Sequence, residues 1–336
     1  MNACQFGSHT SFRARLDGGG RKRDVGRVVH HITAMKTATT AVSLMLLAAA
    51  VAASAQAAKG RESINLTTVE LKTSEHVFKQ TPQGDLKLYV HYPPDWKKSD
   101  QRPAILFFFG GAWRFGTVAQ FEPQAAYFAA RGLVSVRADY RIATKHKTTP
   151  DKCIEDAKSA VRWLRSHAGE LGVDPDKIIG SGGSAGGHLA AAAALVPAYE
   201  AKEDDVKVSC KPNALVLFNP ALNFPNFAVK DDDGKPLKDF WPTPFMKKGA
   251  PPTVMFFGAK DKMVTQGQEF LAKAKELGNR AELYTADGQG HGFFNGSPWT
   301  QITTRQADLF LASLGYLQGK PTLKLPANAP ELKREE

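Results

Sequence analysis

Ser181-Gly182-Gly183-Ser184-Ala185-Gly186-Gly187 is the stretch that decides the reading of this chain. Inside it, Gly182 to Gly186 spell G-x-S-x-G with Ser184 at the centre. The run DKIIGS, ending at Ser181, is apolar and strand-like; HLAAAAAL, starting at His188, is helix-forming. Strand, sharp turn and helix together are the context of a nucleophile elbow, in which a serine hydroxyl is held out on a strained turn. The chain doubles back so tightly there that its neighbours must be small, and four glycines and an alanine surround Ser184. The same letters also fit a glycine-rich turn that merely opens a helix. The remaining motifs, and their order along the chain, argue for the elbow.

Outward from this turn, strand and helix patterns alternate. Residues 64–71 and 86–93 read as two early strands joined by a turn over 81–85. AILFFF (104–109) is a continuous apolar run, as expected of a strand covered on both faces. A helix is predicted over 120–131, a strand over 133–138, and a helix over 151–167 with Ile154, Ala157, Val161 and Leu164 on one face. Strands follow at 214–218, 253–258 and 281–286, with helices at 265–277 and 300–314. This alternation predicts an α/β fold, a mostly parallel central sheet with helices on both faces. Between Pro220 and Pro252 lies a segment rich in aromatics (Phe224, Phe227, Phe240, Trp241, Phe245), read as a short cap insertion over about 221–250. Its Asp231-Asp232-Asp233-Gly234 lacks the distal Glu of a calcium loop and reads as a solvated turn. Residues 320–336 are rich in Pro and charge and read as a flexible tail.

The 336 residues are not all expected in the mature fold. Met35-Lys36, an apolar core over 41–53 and a small-x-small site near Ala55–Ala57 read as a signal peptide over 35–57. That core is too short for a comfortable bilayer span of about 20 residues, so no stable membrane anchor is expected, and the product would be periplasmic or extracellular. Residues 1–34 are Gly- and Arg-rich and read as a non-native N-terminal extension, leaving a domain over 58–319. Removing residues 1–57, with seven basic and two acidic side chains, lowers the formal net charge from +11 to +6. The remaining charges are scattered, so no nucleic-acid partner is expected. Cys153 and Cys210 remain after Cys4 is removed, with no C-x-x-C or Cys/His pairing to suggest a metal. Two separate thiols are expected, although an exported chain permits a disulfide. Nothing in the sequence sets the oligomeric state.

With these motifs in hand, the chain resembles the α/β-hydrolases over about 65–317. It is similar in particular to secreted esterases and lipases related to acetyl-xylan and feruloyl esterases and to the hormone-sensitive-lipase-like carboxylesterases. The resemblance implies Ser184 as nucleophile, His291 in D-G-Q-G-H-G-F-F as base, and Asp261 in F-F-G-A-K-D as the acid that orients it. The order Ser, Asp, His matches the superfamily. Asp287 is a rival acid, but it shares a loop with His291. The oxyanion hole is expected from the amides of Ala185, Gly111 and Ala112, with Gly110 next. The loop reads F-G-G-A-W (109–113), with Phe109 where related esterases carry His, so its hydrogen bonding is left open. Trp113 reads equally as a substrate-binding wall of the acyl pocket and as core packing. His188, one turn beyond Ser184, reads as a buried structural residue, and Asp139, Tyr140, Arg141 and Asp156 as structural hydrogen-bonding residues. The resemblance implies a serine esterase of short acyl or aromatic esters, with acetyl or feruloyl groups on polysaccharides as candidates and no metal or organic cofactor. Two other readings stay open: a serine peptidase-like hydrolase, and a non-catalytic binding protein on the same scaffold.

Overall fold

The computed structural model describes residues 64–224, 229–231 and 233–336. The expected extension over 1–34, the signal peptide over 35–57, and Phe227 lie outside the described residues. The described chain forms a nine-stranded sheet in the order β1-β2-β4-β3-β5-β6-β7-β8-β9. The strands are β1 (Thr73–Thr81), β2 (Gly84–His91), β3 (Arg102–Phe108), β4 (Val134–Ala138), β5 (Val173–Gly183), β6 (Ala214–Phe218), β7 (Thr253–Gly258), β8 (Ala281–Ala286) and β9 (Lys333–Arg334). The pairs from β4-β3 through β7-β8 are parallel; β1, β2 and β9 are added antiparallel at the two ends.

The parallel strands read as unbroken apolar runs because the period-2 pleat feeds two cores. Leu106, Phe108, Leu215, Leu217, Met255 and Phe257 point to one face. Ile105, Phe107, Val216, Phe218, Val254 and Phe256 point to the other. Helices α2 (Pro150–Ser166), α3 (Ala185–Leu195) and α4 (Val264–Glu276) cover the first face with Ile154, Leu189 and Phe270, among others. Helices α1 (Glu122–Ala130) and α5 (Trp299–Ser313) cover the second with Phe128 and Phe310. Buried charges hold these layers in register. Asp308 on α5 is fully buried, accepts from Tyr127 Oη at 2.6 Å, and pairs with Arg131 at 2.7 Å. Asp156 on α2 accepts from Arg141 in bidentate fashion, at 2.8 and 2.7 Å. This is the structural role read for both residues from the sequence.

Two expectations at the sheet edges need correction. No strand forms over 64–71; the first strand is TSEHVFKQT at 73–81, joined to β2 by the turn Thr81–Gly84. Its signal is backbone pairing, from Thr73 opposite His91 to Thr81 opposite Gly84, rather than apolar content. The tail is not frayed either. Leu323, Leu325, Ala329 and Leu332 pack on the second core, and β9 pairs with β8 through Arg334 opposite Tyr284. The amide of Glu335 donates to Leu283 O at 2.9 Å, and the Thr285 hydroxyl to the Glu335 carboxylate at 2.8 Å.

The strand order changes direction at β3, with β4 on one side and β5 on the other. Such a switch point leaves a crevice at the carboxyl ends of the strands. The loop after β3 and the turn after β5 meet there.

Candidate active site

Ser184 follows β5 and is the N-cap residue of α3, with φ 52° and ψ −115°. A non-glycine residue in that region carries strain of about 1–3 kcal/mol and persists only where its surroundings hold it. Here the Ser184 amide donates to Phe218 O at 2.8 Å, and its carbonyl accepts from His188 N at 3.0 Å and Ala221 N at 3.3 Å. The glycine at 186 is set by close approach: a Cβ there would overlap the carbonyl oxygens of Phe108, at the end of β3, and of Phe109, just after it.

The structure brings the three sequence-predicted residues together. His291 Nε2 lies 2.9 Å from Ser184 Oγ, and His291 Nδ1 lies 2.8 Å from Asp261 Oδ2. Asp261 follows β7 and is buried, whereas the His291 side chain keeps 36% of its surface open. Asp261 Oδ1 accepts the Met263 amide at 3.0 Å, and Oδ2 also accepts Asn219 Nδ2 at 2.7 Å. With Nδ1–H directed at the carboxylate, the imidazole presents its Nε2 lone pair to the serine hydroxyl, as a general base must. Asp287, the rival acid, instead accepts the amide of Gly288 at 2.9 Å.

The 109–113 loop runs directly past the serine. A Cβ on Gly110 would sit 3.4 Å from Ser184 Cβ and 2.8 Å from Gly183 O. The Gly110 amide is already engaged, donating to Gln120 Oε1 at 2.6 Å. Among the described residues, the amides of Gly111, Ala112 and Ala185 donate to no carbonyl or side chain. They remain available to a developing oxyanion. Gly111 has φ 133°, Ala112 φ 53° and Trp113 φ 59°, so three successive residues leave the ordinary backbone regions to make this loop. Phe109 takes part by stacking: its ring lies on Tyr140, with centroids 4.1 Å apart, and the Tyr140 hydroxyl donates to Phe109 O at 2.7 Å.

Trp113 is placed as packing rather than as a broad substrate wall, with 8% of its surface exposed. Its indole N–H donates to His188 Nδ1 at 3.3 Å, and its ring meets Phe240 and Trp241 of the insertion edge-on. His188 is fully buried, and its Nε2 lies 3.0 Å from Phe240 O. It therefore ties α3, the 109–113 loop and the insertion together as a structural residue. Burial lowers its pKa to about 4, which keeps it neutral in both hydrogen bonds. The insertion has little regular structure: among its described residues there is one 3-10 turn, Thr243–Phe245, and one bridge between Lys230 and Pro236. Where the sequence predicts a solvated turn, Lys235 N donates to Asp231 Oδ1 at 2.8 Å and Gly234 N to Asp231 O at 3.0 Å; Asp232 lies outside the described residues. Cys153 and Cys210 are both free thiols.

Four polar residues of the site escape sequence reading: Asn219, Gln120, Gln266 and Asn295. Buried Gln266 accepts the amides of Leu222 and Asn223 at 2.8 and 3.1 Å, fixing where the insertion leaves the sheet. Only Asn219 had a usable signal, its position at the carboxyl end of the strand ALVLF.

Comparison with known proteins bears on the fold and the family. The BD-FAE family matches residues 88–232. Carboxylesterase NlhH of Mycobacterium tuberculosis is 32% identical over 123 residues, a match spanning 36% of this chain but only 37% of NlhH. An arylesterase of Saccharolobus solfataricus is 26% identical over 233 residues, covering 62% of this chain and 73% of that protein. Esterase 2 of Thermogutta terrifontis, solved in its apo form, is 43% identical with a TM-score of 0.69, covering 78% of this chain and all of that one; it has also been solved with propionate bound, with butyrate bound and phosphorylated by paraoxon. A sheet of this order, an elbow at the end of β5 and likeness at 43% identity over the whole of a solved esterase lead to one assignment: the chain belongs to the α/β-hydrolase superfamily, in its esterase and lipase group.

Proposed function

We propose that the protein is a serine esterase that hydrolyses short-chain carboxylic esters through an acyl-enzyme. The observation that carries this reading is the continuous line Ser184 Oγ, His291, Asp261, with both hydrogen bonds under 3 Å. His291 Nε2 takes the Ser184 proton as Oγ adds to the ester carbonyl. Asp261 holds the tautomer and stabilises the imidazolium. The negative oxygen of the tetrahedral intermediate is assigned to the uncommitted amides of Gly111, Ala112 and Ala185. His291 then protonates the leaving alcohol, and water, activated by the same imidazole, resolves the acyl-enzyme. Propionate and butyrate bound to the Thermogutta esterase support a short acyl group here. Paraoxon phosphorylation of that esterase supports a nucleophile open to organophosphates. Acetyl or feruloyl esters of polysaccharides fall within the class. Export, resting on the pattern of residues 35–57, belongs to the same proposal.

The test is hydrolysis of p-nitrophenyl esters from acetate to decanoate by the protein and by Ser184→Ala. Rates should be highest between acetate and butyrate, and the variant should lose at least about 10⁴-fold in kcat. Equal rates in the two proteins, or no hydrolysis at any chain length, would overturn the reading.

A further inference from the structure

The two loops that meet at Ser184 are joined by a chain of side-chain amides. Gly110, on the oxyanion loop, donates its N–H to Gln120 Oε1 at 2.6 Å. Gln120 Nε2 donates to Asn295 Oδ1 at 3.0 Å, across 175 residues of sequence. Asn295 Nδ2 donates to Gly292 O at 2.9 Å, on the residue that follows His291. Gly292 N donates to Asn219 Oδ1 at 3.3 Å, and Asn219 Nδ2 closes the chain on Asp261 Oδ2 at 2.7 Å. Every link runs in the donor-to-acceptor sense a carboxamide allows, with each amide accepting on its oxygen and donating from its nitrogen.

We propose that Gln120, Asn295 and Asn219 are positioning residues that set the oxyanion loop and the His291 loop in one fixed relation. The proposal rests on the reading of Ser184 as nucleophile. Both loops need such a device. Ala112 and Trp113 are held at positive φ, and the first residue of the 109–113 loop, Phe109, offers it a stacked ring and a carbonyl but no polar side chain. His291 stands on a half-exposed loop whose next residue, Gly292, has φ 79°. Without the amide chain, each loop would be aligned to Ser184 separately. With it, a shift of the oxyanion amides moves the imidazole loop as well. Asn219 is fully buried and itself has φ 44°, so this end of the chain is anchored in the sheet. Gln120 and Asn295 are only half-buried, so replacing them leaves the core intact.

The test compares Gln120→Ala, Asn295→Ala and the double variant on p-nitrophenyl acetate. Removing an oxyanion donor outright costs about 10²–10³-fold in kcat, so a donor that is merely misaligned should cost less. Each single variant should lose about 10- to 100-fold in kcat with KM within about twofold, and the double variant should stay within about threefold of the worse single. Gln120→Glu should retain the Gly110 link and lose the Asn295 link, and so fall between Gln120→Ala and the parent. Unchanged kcat in Gln120→Ala, or single effects that multiply in the double variant, would overturn the proposal. An inactive parent protein would count against the esterase reading instead. The amide chain would then be decided by crystal structures of the parent and Gln120→Ala: a shifted 109–113 loop together with a shifted Asn295 supports it, and superimposable loops overturn it.

Discussion

Asp261 Oδ2 receives two donors, His291 Nδ1 and Asn219 Nδ2, while Oδ1 receives the Met263 amide. A carboxylate accepts on both oxygens without choosing between them; an amide cannot. In Asp261→Asn, one side-chain atom becomes an NH₂ group facing either the Met263 N–H or the pair His291 and Asn219. Either orientation sets donor against donor. Where the amide oxygen is kept toward Met263, the imidazole can keep its partner only by moving its proton to Nε2, and it then no longer presents a lone pair to Ser184. Asp261→Asn should therefore lower kcat by about 10³–10⁴-fold with little change in KM. Steady-state kinetics on a short acyl ester would check this, and a loss below about tenfold would remove Asp261 from the catalytic line. The variant should still react with a fluorophosphonate, more slowly, because Ser184 and the free loop amides remain.

Elements divide by what holds them. The parallel strands are legible because both faces are covered: ILFF in β3, LVL in β6 and VMFF in β7 are apolar without interruption. Ser184, Asp261 and His291 were equally legible, because each stands in a short local motif at the end of a strand. The edge strands were not. β1 is held by a ladder to β2, and β9 by a two-residue pairing with β8, and backbone hydrogen bonds leave no mark on side-chain pattern. The amide chain was invisible for a related reason: Gln120 and Asn295 mean nothing singly and acquire meaning only when the fold brings them together. The docked tail has a measurable consequence. It covers the outer edge of β8, which would otherwise expose unpaired backbone groups, and it half-buries Leu323, Leu325 and Leu332. Truncation after Lys320 should cost about 3 kcal/mol, at roughly 1 kcal/mol per half-buried leucine, and should promote association through the bared strand. Urea unfolding and light scattering on the truncated chain would check both effects; an unchanged midpoint would mean that the tail contributes nothing to the fold.

At the scale of the whole molecule, three buried histidines among the described residues contribute to how stability responds to acid. His91, His146 and His188 all have pKa values below the ordinary one, with burial as the leading cause in each. Arg137 adds repulsion at His91, and Lys145 does so at His146. His188 is the strongest case, lowered to about 4. Its Nδ1 faces the indole N–H of Trp113, so a second ring proton would meet a donor. The sign follows from linkage. Above pH 6.5 the histidine is neutral in both folded and unfolded chains and leaves the balance alone. Between pH 6.5 and 4 the unfolded chain takes up the proton and the folded one does not, so stability falls as pH falls. For His188 alone the loss reaches about 3 kcal/mol by pH 4, at about 1.4 kcal/mol per pH unit. Other acid-sensitive groups add to the total, so the parent curve by itself does not isolate this residue. His188→Gln does: its amide oxygen can accept from Trp113 and its amide nitrogen can donate to Phe240 O, without titrating. Urea unfolding of both proteins at pH 7, 5.5 and 4.5 should give parallel values at neutral pH and a shallower decline for the variant, by nearly one proton's slope below pH 6. Equal slopes would mean that His188 is protonated in the folded chain, and that the contact between the 109–113 loop and the insertion survives a charge at its centre.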